Sequence, residues 1–219
     1  MRSEAGQPIV QARRKSLPAL KPRKDKRGRP STPFLRERIL HSASELFGEL
    51  AFELVVIDEV AARAKVGKGS VYRQFGSKEE LYAAVVVSGF RQLQAEIRDA
   101  LAGATSMRDQ IAIIVRHTLA YFWHRQQFFV LLHDPKALPR RMEQEYRAQR
   151  FELAHLASAV LGEGIASGAI RSGLDTRVAA ESLLGMLRGI NRYCRDYATP
   201  EDAAETVVSI FLNGCVAAS

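Results

Sequence analysis

One nineteen-residue window, residues 60–78, constrains this chain more than any other part of it. It reads Val-Ala-Ala-Arg-Ala-Lys-Val-Gly-Lys-Gly-Ser-Val-Tyr-Arg-Gln-Phe-Gly-Ser-Lys, with five bases (Arg63, Lys65, Lys68, Arg73, Lys78) and no acid. A turn of small residues separates two apolar-spaced segments, and the second opens with Lys-Gly-Ser. That order is how two short helices joined by a tight turn look in sequence, the second of them suited to a DNA groove. A nucleic-acid function is therefore the first expectation.

The charge distribution agrees with it. The 219 residues carry a net charge of +8, which favours a polyanionic partner. Residues 1–30 hold ten of the 32 Lys and Arg but only two of the 24 acids, Glu4 and Asp25, leaving twenty-two of each sign elsewhere. The whole excess sits in this tail, whose four prolines and few large apolar groups predict disorder. Within it, Lys26-Arg27-Gly28-Arg29-Pro30 contains the Arg-Gly-Arg-Pro core of an AT-hook. Arg27 and Arg29 are expected in the narrow A·T minor groove. A merely solvated basic linker is the plainer reading. Its position beside a helix-turn-helix, where N-terminal arms reach the adjacent minor groove, favours DNA contact.

The rest of the chain has helical spacing. Thr32 and Pro33 suit the cap and first position of a helix carrying Leu35, Ile39, Ala43, Leu46, Phe47 and Leu50. Further helices are predicted at residues 57–64 and 68–75. The capping box Ser77-Lys-Glu-Glu80 starts another that runs to Leu101 through Val86, Phe90, Leu93 and Ile97. Ile111, Ile114, Val115, Thr118, Leu119 and Phe122 mark one that ends near residue 127, and a short one follows at 128–133. The remainder are placed at 139–162 (apolar side Phe151, Leu153, Leu156, Val160), at 175–197, and at 199–213 after Thr199 and Pro200, closed by Gly214. No segment alternates like a strand. The expected fold is all-α with about nine helices. It comprises a basic arm over residues 1–30, a three-helix helix-turn-helix domain over 31–80, and a larger ligand-binding and dimerisation domain over 81–219.

Other classes fit poorly. No run approaches the ~18–20 apolar residues that span a bilayer, and no apolar stretch follows Arg13, Arg14 and Lys15 as in a secretory signal. Cys194 and Cys215 look like buried thiols of a reducing compartment, with a redox switch or intersubunit disulfide as the alternative. A cytoplasmic protein without membrane contact is expected. Gly67-Lys68-Gly69-Ser70 is like a phosphate loop only superficially, since Ala62 stands where its first glycine belongs and no strand leads in. His133-Asp134 and Glu143/Glu145 have no nucleophile beside them. His117, His124 and His133 do not make a metal set. Neither enzyme activity, cofactor nor metal is expected.

From Arg36 to Leu81 the chain resembles the DNA-binding domain of the tetracycline-repressor-like (TetR/AcrR) regulators. The resemblance rests on Ile39-Leu40, Ala43 to Phe47, Phe52, Val60-Ala61, Val66-Gly67-Lys68-Gly69-Ser70-Val71-Tyr72-Arg73-Gln74-Phe75 and Ser77-Lys78-Glu79-Glu80-Leu81. It is weaker in the second half, at Gly168-Ala-Ile-Arg171, Asp175, Ala179-Ala180 and Gly189. The resemblance implies a homodimeric repressor of double-stranded DNA whose larger domain binds a small inducer. It places Lys68, Ser70, Tyr72 and Arg73 on the base side, with Gln74 and Lys78 at phosphates. The chemistry agrees: Lys68 opens a helix whose free N–H groups favour phosphate, Gly69 permits close approach, and Arg73 suits guanine. Three departures stand out. Lys65 occupies a turn position that calls for positive φ, Val56 replaces a capping hydroxyl, and Asp58 lies near the phosphates. Lys65 is expected to touch the DNA backbone, and the tail to compensate for weaker anchoring.

The aromatic cluster Tyr121-Phe122-Trp123 with Phe128-Phe129 is the candidate pocket, joined by Phe90, His117 and Met186; an ordinary core is its alternative. An apolar or aromatic inducer is expected, or a cation over Trp123. By the same resemblance, the last two helices form a dimer interface carrying Leu183, Leu187, Ile190, Cys194, Val207, Ile210 and Phe211, although these stripes can equally pack inside one subunit. Two half-sites ~34–36 Å apart would suit a dimer. The expected function is a repressor released from a palindromic operator by a small molecule. The alternative is an architectural DNA binder driven by the arm, with steep salt dependence but no use for the helical body behind it.

Overall fold

The computed structural model describes residues 32–123, 125 and 140–215. Its elements are α1 (Thr32–Glu49), a 3-10 turn (Phe52–Leu54), α2 (Ile57–Arg63), α3 (Lys68–Phe75), α4 (Lys78–Leu101), α5 (Met107–Trp123), α6 (Arg140–Ala166), α7 (Thr176–Tyr193) and α8 (Pro200–Cys215). The all-α expectation holds, with eight α-helices among the described residues. Contacts divide the chain into two units, Met1–Arg36 and Glu37–Ser219, and the packing that follows belongs to the second.

The first helices form a small core from residues spaced at i, i+4, i+7 and i+8. Ile39, Ala43, Leu46 and Phe47 of α1 are buried, as are Val60 and Ala61 of α2 and Val71 and Phe75 of α3. Phe47 meets Phe52 at 6.0 Å and Tyr82 of α4 at 4.8 Å, tying three elements by aromatic contacts. The α2–α3 turn is a Schellman motif. Val66 N–H donates to Ala61 O (2.9 Å) and Lys65 N–H to Ala62 O (3.0 Å), with Lys65 in the left-handed region at φ 52°. This motif takes Ala64 as its cap, so α2 stops one residue short of the expected end. Val56 precedes α2 with no side-chain cap, as anticipated. Ser77 does cap α4, its Oγ accepting from Glu80 N–H at 3.1 Å. Only that half of the capping box forms, because Ser77 N–H donates to Phe75 O instead.

The larger body is a set of packed helices. α4 lies against α5 and α6; α5 also packs on α6, α7 and α8; α7 packs on α6 and α8. Phe90, Leu93 and Ile97 of α4, Ile111, Ile114 and Leu119 of α5, Tyr146 and Leu153 of α6, and Leu183 and Leu187 of α7 fill its interior. At 24 residues, α4 is about 36 Å long and runs unbroken from the small core into this body.

Four expectations need correction. α6 continues through Gly162 and Gly164 to Ala166. Gly164 is there for closeness, since a Cβ on it would lie 2.8 Å from Ile170 Cδ1. Phe151, expected inside, is exposed and stacks on His155. α7, capped by Asp175 through Arg177 and Val178 N–H, ends at Tyr193, where Cys194 O begins accepting from Tyr197 and Ala198 N–H. Thr199 caps α8 as expected, accepting from Asp202 N–H at 3.1 Å. That helix runs through Gly214 to Cys215. The expected helix at residues 128–133 lies outside the described residues.

Candidate functional site

Helix α3 shows Lys68, Gly69, Tyr72 and Arg73 to solvent, with Ser70 and Gln74 half-buried, while Val71 and Phe75 hold its inner face down. A Cβ on Gly69 would meet nothing within 4 Å, so the chain's own packing does not require glycine there. Arg73 Nη2 donates to Ser70 Oγ one turn back, at 3.4 Å, which steadies the guanidinium without neutralising it.

The other bases of the window differ in how free they are. Lys68 Nζ donates to Asp58 Oδ2 at 2.7 Å, and that hydrogen bond, then the charge behind it, raises the Lys68 pKa. Arg63 is paired with Glu59 at 3.1 Å and Glu49 at 3.5 Å. Lys78 donates to Glu53 O at 3.2 Å and lies 4.5 Å over the Phe52 ring, fixing the 3-10 turn to the start of α4. Lys65 is exposed, while its carbonyl and that of Ala64 accept from Arg38. Among the described residues three of these five, Lys65, Arg73 and Lys78, have no carboxylate partner. The Asp58–Lys68 pair is invisible in an acid-free window, because Asp58 stands just ahead of it and reaches Lys68 only when α2 and α3 fold together. Arg27 and Arg29 lie outside the described residues.

A second feature lies in the larger body. A cleft of about 500 Å3, counting the open space at its mouth, runs between α4, α5, α6 and α7. Phe90, Phe122, Leu153, Leu184 and Leu187 give it an apolar wall, and Thr118, Tyr146, Arg150, Arg188 and Asn191 a polar one. Phe90 sits edge-on to Phe122 (5.5 Å) and Tyr146 (5.7 Å). The Thr118 Oγ1, Tyr146 hydroxyl and Asn191 Oδ1 atoms are buried there without a hydrogen-bond partner. Burial pushes the Tyr146 phenol up to about 12, against the opposing pull of Arg150 and Arg188. Arg150 is itself held by Glu181, with Nη1 2.9 Å from Oε1.

Of the expected pocket residues, Phe90 and Phe122 line this cleft. Tyr121 does not: it is buried with its hydroxyl over Gly89, where a Cβ would lie 1.8 Å from the phenol oxygen. Trp123 is half-buried, and its ring faces Arg195, whose guanidinium carbon is 5.7 Å from the centroid. The cation expected over Trp123 is thus the chain's own. His117 and Met186 are half-buried and off the cleft, and Phe129 lies outside the described residues. Tyr146/Arg150 and Leu184/Arg188 are i, i+4 pairs that reach the cleft from α6 and α7, and this arginine-bearing spacing is the signal that aromatic clustering does not carry.

The expected dimer residues also divide. Leu183, Leu187, Val207 and Phe211 are buried in the subunit's own core, so that stripe is internal and leaves a second copy little to touch. Ile190 and Cys194 are half-buried. Ile210 is 60% exposed, and Tyr193 and Tyr197, at 69% and 76%, are more open still. Both cysteines are free thiols, Cys215 buried and Cys194 within 3.1 Å of the Tyr197 hydroxyl. Among the described residues no three His, Cys, Asp or Glu side chains converge as a metal site, and no helix is long and apolar enough to cross a membrane.

Comparison with known proteins addresses both features. Residues 39–85 match the profile of bacterial regulatory proteins of the tetR family. Residues 104–215 match that of the tetracyclin repressor-like C-terminal domain. YdeS, an HTH-type transcriptional regulator of Bacillus subtilis (strain 168), is 31% identical over 165 residues, 73% of this chain and 79% of the relative. The solved structure of the TetR family transcriptional regulator PfmR from Thermus thermophilus gives a TM-score of 0.64 at 25% identity, over 80% of this chain and 97% of that one. The FadR regulator of Bacillus subtilis, solved with stearoyl-CoA, gives 0.69 at 16% identity over 81% and 98%, a likeness of fold alone.

Proposed function

Because this chain belongs to the TetR family of helix-turn-helix transcriptional regulators, we propose that it is a homodimeric repressor, held on an inverted-repeat operator by α3 and released when a small molecule fills the cleft. The family is one of ligand-responsive DNA-binding regulators rather than enzymes. The observation that carries the finer reading is α4. One continuous helix packs Tyr82 against Phe47 and Phe52 at its start and lends Phe90 to the cleft two turns later. A ligand that displaces Phe90 therefore acts on the same rigid element that seats the DNA-contacting helices.

In this reading Ser70, Tyr72 and Arg73 face bases, with Lys68 joining them by exchanging Asp58 for DNA. Lys65, Gln74 and Lys78 lie toward phosphates, and Gly69 leaves the groove floor accessible. Arg27 and Arg29 follow the adjacent minor groove. The second copy docks on the exposed apolar side chains of α7, α8 and the segment between them, Tyr193, Tyr197 and Ile210, with Ile190 and Cys194 beside them. The functional parts are the arm at 1–30, the DNA-binding part at 31–80 and the effector and dimer part at 81–219.

Selection of bound sequences from a random duplex library, with full-length protein at physiological salt, tests this. Enrichment of an inverted repeat with a fixed spacer is expected. Enrichment of A·T-rich tracts without symmetry would instead make the protein an architectural binder governed by its basic arm.

A further inference from the structure

Resting on the reading of the cleft as the effector site, we propose that the effector is an amphiphilic organic anion, its acyl or aryl body between Phe90, Phe122 and Leu153 and its anionic head against Arg188 and the Tyr146 hydroxyl. The polar wall of the cleft is what selects this chemistry. Three of its atoms, on Thr118, Tyr146 and Asn191, are buried and unpartnered, and groups in that state are matched by a ligand or by water rather than left alone.

The charged side chains fix the sign. Arg150 and Arg188 both line the cleft, and both act on the Tyr146 phenol as neighbouring positive charges. Arg150 is already committed to Glu181. Arg188, one turn from Leu184 on α7, has no ion-pair partner among the described residues. The carboxylate that pairs with a cleft arginine is therefore in use, and one guanidinium is not. A cation would enter against two like charges. A wholly apolar ligand would leave the buried hydroxyls and the Asn191 carbonyl as they are. An anion on an apolar body answers both, with Tyr146 donating from a phenol that burial keeps protonated and Arg188 supplying a charge-assisted hydrogen bond.

Two sources share this chemistry, a free carboxylate and an acyl group on a phosphorylated carrier. Titration calorimetry on the full-length protein with decanoate, decanoyl-CoA, decanamide and decyltrimethylammonium separates them. Decanoate or decanoyl-CoA is expected to bind at least about tenfold more tightly than decanamide, the worth of one charge-assisted hydrogen bond. Decyltrimethylammonium is expected not to bind. Binding of decanoate identifies the free carboxylate as the head; binding of decanoyl-CoA alone identifies the carrier phosphates. Arg188 is exposed, so Arg188→Gln is expected to keep the fold. It should weaken the anion about tenfold while leaving decanamide unchanged, a difference that loss of structure would not produce. Tyr146→Phe should weaken the anion by a smaller factor.

Equal affinity for decanoate, decanoyl-CoA and decanamide, an anion affinity indifferent to Arg188→Gln, binding of the cation, or no binding by any probe would overturn the assignment. Release of the selected duplex, followed in parallel, keeps the two readings apart. Release by decanamide would end the anionic assignment and keep the effector site. Arg188-dependent binding of decanoate or decanoyl-CoA without release would keep the anion and end the inducer reading.

Discussion

Lys65 sits at a φ of 52°, where a Cβ crowds its own backbone, and the Schellman turn it closes holds it there. Lys65→Gly removes that crowding and should stabilise the protein by about 1 kcal/mol in urea denaturation. The same change removes a window base that has no carboxylate partner, so DNA affinity should fall while stability rises. Asp58 works in the opposite direction. It occupies Lys68 at the mouth of α3 and adds a negative charge where phosphate must come. Asp58→Ala should tighten DNA binding and steepen its dependence on log salt by about one unit, measured by fluorescence anisotropy across a salt series. An unchanged slope would mean that Lys68 does not reach the DNA.

At the scale of elements, the contact of α4 with α5 turns on a single hydrogen. Gly89 has none of the space a methyl group needs, because the Tyr121 hydroxyl fills it at 1.8 Å. Gly89→Ala should cost roughly 1–3 kcal/mol in denaturation experiments, and adding Tyr121→Phe should recover most of it in a double-mutant cycle. This contact shows where sequence reasoning stops. The helices were legible because each buries one stripe at 3.6-residue spacing, and caps such as Ser77, Asp175 and Thr199 announce themselves by residue type. The basic window was legible for the same reason: its composition is local. Gly89, the Asp58–Lys68 pair and the polar wall of the cleft were not, since each is a relation between residues on different helices. Gly162 misled in the other direction: a glycine inside a helix looks in sequence like one that ends it, and only the fold shows that Ile170 demands closeness two residues on, at Gly164. Leu183 and Leu187 left two readings open in sequence, since a core stripe and an interface stripe have the same periodicity.

At the scale of the whole molecule, burial holds the Tyr121 and Tyr146 phenols protonated up to about 12 and also raises Tyr82. A phenol whose pKa is raised on folding gives its full stabilisation below the unfolded value of about 10 and loses it as pH climbs through the folded one. Stability should therefore be insensitive to these groups near neutrality and fall from about pH 10 to about pH 12, by at most about 3 kcal/mol for each of Tyr121 and Tyr146. Urea midpoints across that range check it, and Tyr146→Phe should make the fall shallower. The proposed dimer is tested at Ile210, 60% exposed on α8. Ile210→Glu should leave the thermal transition of the subunit in place and shift the sedimentation coefficient to that of a monomer. Trp123 is the sole tryptophan of the chain. It ends α5 directly after Phe122, which lines the cleft, and its indole faces Arg195. The protein thus carries one native indole, placed beside the cleft and absent from α1 to α4. Its emission, excited to the red of tyrosine absorption so that Tyr72 and Tyr82 stay dark, should report occupancy of the cleft in an unlabelled protein.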